Sequence, residues 1–274
     1  MNDKNDGGEM RITMLGSGTS SGVPTIGCNC ATCLSSDPRD KRLRPSILVE
    51  VNSRVIVVDT SSDFREQCIR WDVDQIDAVL YTHHHFDHIA GFDDLRAFNF
   101  TAKKPVPIFL MQETLENIQR IFEYAFLPEK RLQSSAPVVD VNVIGDETFD
   151  VFGVPCRVVP LRHGSMRVNG YRIGQFAYCT DCNEITGEGY EALDGVEYLI
   201  LDALRYRPHP THFTLEEAID VAGKIGARKT WFTHIAHDIR HEDAAQMLPE
   251  NMALGYDGLQ ITVGTSEFVV EKNP

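Results

Sequence analysis

The sequence predicts an α/β fold in four layers, two β-sheets packed face to face between helices. Three observations predict it. The β-rich runs come in two batches with helical patterns interspersed, and elements with apolar faces bury them most simply as stacked layers. No fixed-period repeat, low-complexity tract or linker divides the 274 residues, a length that suits one domain with a large core. Hydrophobic residues make up 42% and charged residues 24%, which excludes a disordered or collagen-like chain.

Taken in order, Arg11 to Leu15 reads as a strand that runs into the turn Gly16-Ser17-Gly18. Ser46 to Val51 and Arg54 to Asp59 read as a hairpin turning at Asn52-Ser53. Further strands are expected at Ala78 to Tyr81, Pro107 to Leu110, Val138 to Val143, Cys156 to Leu161, Gln175 to Cys179, Tyr198 to Asp202, Lys229 to Thr233 and Leu259 to Val263. Apolar residues at helical spacing predict helices over Asp63 to Trp71, Thr114 to Ala125 and Thr214 to Ile225. The last opens on a T-x-x-E capping box, Thr214 with Glu217. Residues 1–9 read as a disordered tail and 10–274 as the domain.

Charge and composition exclude several functions. With 26 Lys and Arg against 40 Asp and Glu, the net charge of −14 disfavours a binder of long nucleic acid. No run approaches the ~20 apolar residues a bilayer requires. The start, MNDKNDGGEM, is polar and acidic, unlike a secretory signal, so the expected compartment is the cytoplasm and no membrane partner is expected. Seven cysteines in a reducing compartment point to metal ligation or packing, not to a disulfide framework.

Several predicted strands end in a side chain able to bind a cation. Val79-Leu80-Tyr81-Thr82 ends at His83, Val158 to Leu161 leads to His163, Ala177 to Thr180 ends at Asp181, Trp231-Phe232-Thr233 ends at His234, and Val57-Val58 ends at Asp59. Any one of these would be an ordinary loop residue. The set is different, because His83-x-His85-x-Asp87-His88 places four candidate ligands within six residues. Imidazole with carboxylate is the donor set that Zn²⁺, Mn²⁺ or Fe²⁺ accepts.

These motifs, with His163, Asp181 and His234, resemble the metallo-β-lactamase fold superfamily. The resemblance implies a four-layer αββα metallo-β-lactamase sandwich over 10–274, a hydrolase domain with two divalent metals, Zn or Mn, between its sheets. It implies one metal on His83, His85 and His163, a second on Asp87, His88 and His234, and Asp181 as the bridge. Asp59 matches a supporting residue outside the ligand set. His84 alternates with two ligands and is expected to face away.

A second cluster, Cys28-x-Cys30-x2-Cys33, is one donor short of a closed tetrahedral site. His237, three residues after His234, could complete a structural Cys3His zinc. Cys179-x2-Cys182 encloses Asp181 and reads as packing, as do Cys68 and Cys156. Together with Leu15-Gly16-Ser17-Gly18, Gly22-Val23-Pro24, Thr233 to His237 and Gly255-Tyr256-Asp257-Gly258, the cysteine loop resembles a narrower group, the cyclic phosphodiesterase of carbon–phosphorus lyase pathways and its relatives.

The implied chemistry is hydrolysis of a small phosphodiester, with a ribose cyclic phosphate or a nucleotide among its candidate substrates. A hydroxide held between two cations ~3.5–4 Å apart would attack. His212 and Asp87 are the candidate catalytic residues. His212 stands just before the capped helix and, by resemblance to the phosphodiesterase group, would protonate the leaving group, for which a pKa near ~6.5 is apt. Arg44, Arg96, Arg162, Arg205 and Arg207 are open candidates for phosphate contacts. His209 and His241 have no expected partner. The segment 92–137 is expected to line or cover the pocket, while its aromatics Phe98, Phe100, Phe122, Tyr124 and Phe126 read first as core packing and, as the alternative, as stacking partners of a ribose or base.

Other functions would share parts of this pattern. A tRNA 3′-processing nuclease would share the ligands but would have a Gly-rich arm, and no Gly occurs between Gly91 and Gly145. A thioesterase or lactamase would need neither His212 nor the Cys3His site, and an iron oxidoreductase would differ in its metal. A pyrroloquinoline quinone biosynthesis-like binding or redox protein would share the cysteine loop, yet here every dinuclear ligand is present. A small phosphate-ester substrate is the expected partner, and a homodimer is compatible with this reading.

Overall fold

Period-two alternation of buried side chains sorts the strands between two cores. In the computed structural model, which describes residues 9–127 and 136–264 and the backbone of 269–271, Ile56 and Val58 face the space between the sheets while Val57 faces outward helices. Tyr198 and Ile200 face inward while Leu199 and Leu201 face outward in the same way. Strands buried on both faces read as continuous apolar runs, which is why these segments show so little polar punctuation. Residues 1–8 of the expected tail and 128–135 of the 92–137 segment lie outside the described residues.

The first sheet has the order β16-β15-β1-β2-β3-β4-β5-β6. Its strands are β1 (Met10–Gly16), β2 (Ser46–Val51), β3 (Arg54–Val58), β4 (Ala78–Leu80), β5 (Val106–Leu110), β6 (Val139–Val143), β15 (Gln260–Val263) and β16 (Val269–Glu271). The second has the order β11-β8-β9-β10-β12-β13-β14. It contains β8 (Val154–His163), β9 (Met166–Ile173), β10 (Phe176–Cys179), β11 (Glu184–Ile185), β12 (Tyr198–Asp202), β13 (Lys229–Thr233) and β14 (Met252–Leu254), with β7 (Thr148–Val151) beside β8. The sheets meet through Ile12, Met14, Val49, Leu80, Tyr171, Tyr178 and Trp231.

Helices α2 (Phe64–Arg70), α4 (Leu95–Ala102), α5 (Gln112–Ile121) and α6 (Glu123–Phe126) lie on the first sheet, where Phe64, Phe98, Leu115, Ile118 and Phe122 enter its outer core. Helices α7 (Gly187–Leu193) and α8 (Leu215–Ile225) cover the second through Leu193, Ala218, Val221 and Ala222. Short helices α1 (Ala31–Leu34), α3 (Phe86–Ile89) and α9 (His241–Ala245) belong to the loops. Two sheets between helices make this a single-domain α/β sandwich in four layers.

Most predicted elements occur, with informative differences. The Asn52-Ser53 turn has φ of 50° and 59°, the mirror-image turn that suits hairpin twist. The Thr214–Glu217 capping box forms in both directions, and Gly226 ends α8 at φ 72°. The helix expected over Thr114 to Ala125 is broken at Phe122. That ring turns into the core and lies 4.9 Å from the Phe92 ring, tilted by 37°. Phe98 and Phe122 pack in the outer core of the first sheet, where Phe98 also borders a surface cavity with Phe64, Cys68 and Ile69 that contains none of the ligands, whereas Phe100 and Tyr124 are exposed. Strand β9 went unpredicted because Arg167, Asn169 and Gly170 interrupt its apolar pattern; Gly170 is required there, since a Cβ would come within 2.9 Å of Tyr178 O.

Candidate metal centre

The parallel strands of each sheet deliver their carboxyl ends to one edge of the sandwich. Strands β3 and β4 run parallel in the first sheet, as do β10, β12 and β13 in the second. Just beyond these ends lie Asp59, His83, Asp181 and His234, with Asp202 as the last residue of β12. Three of them, Asp59, Asp181 and His234, have φ of 64°, 52° and 61°. This left-handed backbone is costly outside glycine, and Asp and His tolerate it better than branched residues do.

Ligand atoms of His83, His85, His163 and Asp181 all lie within 4.8 Å of one another, as do those of Asp87, His88, Asp181 and His234. Asp181 belongs to both groups and so stands between them. Its Oδ1 lies 3.3 Å from His234 Nε2 and its Oδ2 3.1 Å from His88 Nε2. Asp87 Oδ2 is 3.4 Å from His88 Nε2 and 3.6 Å from His234 Nε2. Donors ~2.1 Å from one tetrahedral ion are about 3.4 Å apart, so the second group has the spacing of a coordination shell. The buried atoms His83 Nε2, Asp87 Oδ2, His88 Nε2 and His234 Nε2 have no hydrogen-bond partner. Several orphaned buried donor atoms pointing at one place fit divalent cations and have no other compensation among the described residues.

The surroundings fix the tautomers. Asp59 accepts from His88 Nδ1 at 2.7 Å and is itself held by Thr82 N and Thr82 Oγ1, each at 2.8 Å. His163 Nδ1 donates to Thr211 O at 2.8 Å. In both rings Nε2 is left facing the cluster, the arrangement that orients an imidazole for coordination. Burial holds His83, His85 and His163 below the ordinary imidazole range, keeping them neutral. Burial would raise Asp181, but His234, His88 and His83 around it hold it well below the carboxylate range.

One buried carboxylate was not among the predicted site residues. Asp202 Oδ1 lies 3.1 Å from His212 Nδ1 and 3.8 Å from His234 Nδ1, and also accepts from Asp181 N at 3.1 Å. The His212 ring stands 4.5 Å from His163 and 4.6 Å from His234. Burial opposes charge on His212, but Asp202, through its charge and this hydrogen bond, lifts it to about 9. Asp202 thus favours the protonated form of His212 beside the ligand cluster. The strand-end rule that found Asp181 and His234 would have found Asp202 too, since it closes Tyr198-Leu199-Ile200-Leu201.

The cysteine loop lies next door. His237 Nδ1 is 3.2, 3.4 and 3.7 Å from Cys28, Cys30 and Cys33 Sγ, against the ~3.5 Å between sulfur and nitrogen donors on one tetrahedral zinc. Cys33 N donates to Cys30 Sγ, a bond that with His237 pulls the Cys30 thiol down to about 6. The two clusters are joined through backbone, Ile235 N donating to Ser17 O and Thr19 N to Ile235 O. Behind them, buried Arg42 donates to Ser17 Oγ and Gly255 O, while Asp257 accepts from Ser17 N and Leu43 N. This is the physical link between the Leu15 to Gly18 and Gly255 to Gly258 motifs.

Other expectations fare differently. Cys179 and Cys182 are buried in the outer core of the second sheet. Arg44 is paired with Asp63, Arg96 with Asp93 and Arg207 with Asp238, and Arg205 donates to the carbonyls of Arg207 and Pro208. Arg162 lies in a surface cavity with Arg157 and Arg167 that contains none of the ligands. His241 packs beside Arg42, 3.3 Å from Nη2. His209, with no predicted partner, lies beside His212 at 5.1 Å. No described helix is long and apolar enough to cross a membrane.

Comparison with known proteins gives consistent kinship. A family model described as a beta-lactamase superfamily domain matches residues 54–235. A curated relative, an octanoyltransferase of Porphyromonas gingivalis, is 37% identical over 258 residues, which are 93% of this chain and 52% of that protein. The chain thus spans about half the length of that relative. Among solved structures, a diphosphatase from the PhnP family is 42% identical with a TM-score of 0.88, the match covering 93% of this chain and 98% of that one. Zinc-bound PqqB from Methylobacterium extorquens shares the fold at a TM-score of 0.71 and 19% identity, over 91% of this chain and 99% of its own.

Proposed function

Because the chain belongs to the beta-lactamase superfamily and, within it, to the PhnP family, we propose that it is a metal-dependent hydrolase of a small phosphodiester, cyclic or linear. Two divalent cations, Zn or Mn, would be held by His83, His85 and His163 and by Asp87, His88 and His234, with Asp181 between them; a structural zinc would be held by Cys28, Cys30, Cys33 and His237. When bound, the active-site pair supplies a nucleophilic water at neutral pH and compensation of phosphate charge.

The observation that carries the choice of a phosphate diester is the buried Asp202–His212 pair over the ligand cluster. A poor leaving group such as a ribose oxygen departs only if protonated. With Nδ1 donating to Asp202, the Nε2–H of the protonated His212 ring is the proton left to transfer. Asp202 keeps the ring charged and at a fixed angle, and through 3.8 Å to His234 it couples acid and ligand positions. Asp87 lies within the cluster and would be one of the ligands, its catalytic part being to hold a cation that compensates the phosphate charge. A diphosphate linkage, the substrate class for which the PhnP-family relative is named, offers the same tetrahedral centre and the same need for charge compensation.

The test is hydrolysis of bis(p-nitrophenyl) phosphate by the metal-loaded protein, with and without a chelator, beside hydrolysis of an octanoyl thioester. Chelator-sensitive release of nitrophenol supports the proposal. Thioester cleavage with no phosphodiester cleavage overturns it in favour of acyl chemistry, and no metal-dependent hydrolysis of either favours a binding or redox role.

A further inference from the structure

The segment between β12 and α8 presents one imidazole that neither the ligand set nor the acid uses. His209 lies in Arg207-Pro208-His209-Pro210, and two flanking prolines leave its backbone little freedom. The Arg205 side chain closes this loop by donating to Arg207 O at 3.1 Å and Pro208 O at 3.0 Å. Thr211 then ties the ring to the site. Its N–H and its hydroxyl lie 3.4 and 3.2 Å from His209 Nδ1, and its carbonyl accepts from His163 Nδ1. A peptide N–H can only donate, so Nδ1 of His209 accepts and the neutral ring carries its proton on Nε2. Among the described residues that Nε2 has no recorded partner. The His209 ring is tilted by 51° against His212 at 5.1 Å, one ring further from the ligand cluster than His212 itself.

We propose that His209 is a substrate contact whose Nε2–H donates to an oxygen of the leaving group. The inference rests on the hydrolase reading above and adds a specificity to it. If His212 protonates the leaving oxygen, whatever that oxygen belongs to passes the next ring outward. A ribose or a phosphate presents an acceptor there, whereas an aryl group presents none. A rigid, preoriented donor discriminates between such groups because the analogue lacking the acceptor leaves it unpaired.

His209 could instead serve only to cap its own loop through Nδ1, and two substitutions separate the roles. Asn places a carbonyl acceptor where Nδ1 stands and removes the outer donor; Gln places an amide N–H where Nε2 stands. The reading is the ratio of kcat/KM for adenosine 2′,3′-cyclic phosphate, and for ADP-ribose, to that for bis(p-nitrophenyl) phosphate, in the metal-loaded protein. His209→Asn should lower at least one ratio about tenfold or more, and His209→Gln should restore it to within about threefold. The ratio that moves identifies ribose or phosphate as the acceptor. Unchanged ratios in His209→Asn, or a loss that Gln does not restore, overturn the proposal. A wild type that cleaves none of the three overturns the hydrolase reading itself, a result distinct from cleavage that is insensitive to position 209.

Discussion

Replacing Asp202 with Asn removes one charge at nearly constant volume and isolates the role of His212. The carboxylate and the imidazole are both buried, 3.1 Å apart, and Asp202 is the main reason that the ring titrates at about 9 in spite of its burial. Without the charge, burial acts unopposed by its main partner and the pKa falls to the ordinary ~6.5 or lower. A general acid works in its protonated form, so activity persists below its pKa and is lost as pH rises through it. The alkaline limb of kcat/KM for a ribose phosphodiester should therefore move to lower pH, and activity at pH 8 should fall about tenfold or more. The assay is a pH–rate profile from pH 5.5 to 10 for both proteins, with metal content measured on the same samples because Asp202 also approaches His234. An alkaline limb that does not move, with metal retained, would refute the assignment of His212 as the acid.

Other outcomes follow from the same geometry. His212→Ala should cut turnover of a ribose phosphodiester by about 10²–10⁴ with metal content intact; equal turnover would remove it from the mechanism. Cys30→Ser should lose one tightly held zinc per chain and lower the unfolding midpoint, and an unchanged zinc count by elemental analysis would sink the Cys3His assignment. Asp181→Ala should reduce active-site metal below two ions per chain by the same analysis, since this carboxylate lies in both ligand groups. Arg42→Met should cost about 2–4 kcal/mol in urea unfolding, because Ser17 Oγ and Gly255 O lose a buried charged donor; a loss below ~0.5 kcal/mol would show that the clamp contributes little.

Legibility in the sequence tracked how local each signal was. The His83 to His88 cluster stood out because four donors share one stretch, two of them on the single turn of α3. The cysteine loop stood out for the same reason. Asp202 was passed over because its partners come from β10, the far side of β13 and the loop before α8, and only parallel pairing of β12 with both neighbours brings them to it. The Arg42 clamp was less legible still, as it joins Ser17, Gly255 and His241 across more than two hundred residues of sequence. The five arginines could not be told apart in the sequence, each being as readable as an ion-pair residue as a phosphate contact, and four of them are engaged by carboxylates or carbonyls of their own neighbourhood.

The left-handed residues explain why strand ends, of all places, carry this chemistry. A side chain that continued the strand's alternation would point either into the core between the sheets or out toward the helices. At Asp59, Asp181 and His234 the backbone turns to positive φ, which takes the side chain off that alternation and over the end of the sandwich. Each such turn costs about 1–2 kcal/mol for a residue with a Cβ. Glycine would remove that cost and the donor with it. The cost is tolerated because each turn is held on both sides, Asp59 by Thr82 and His88, Asp181 by Asp202 and Thr180, and His234 by the pairing of Ile235 with Ser17 and Thr19. The donors are thereby fixed by strands and not by flexible loops, so most of the ordering entropy of the site is met during folding, before any cation arrives. The same anchoring couples the two clusters, because the turn that aims His234 at the His and Asp cluster begins the segment that aims His237 at the cysteines.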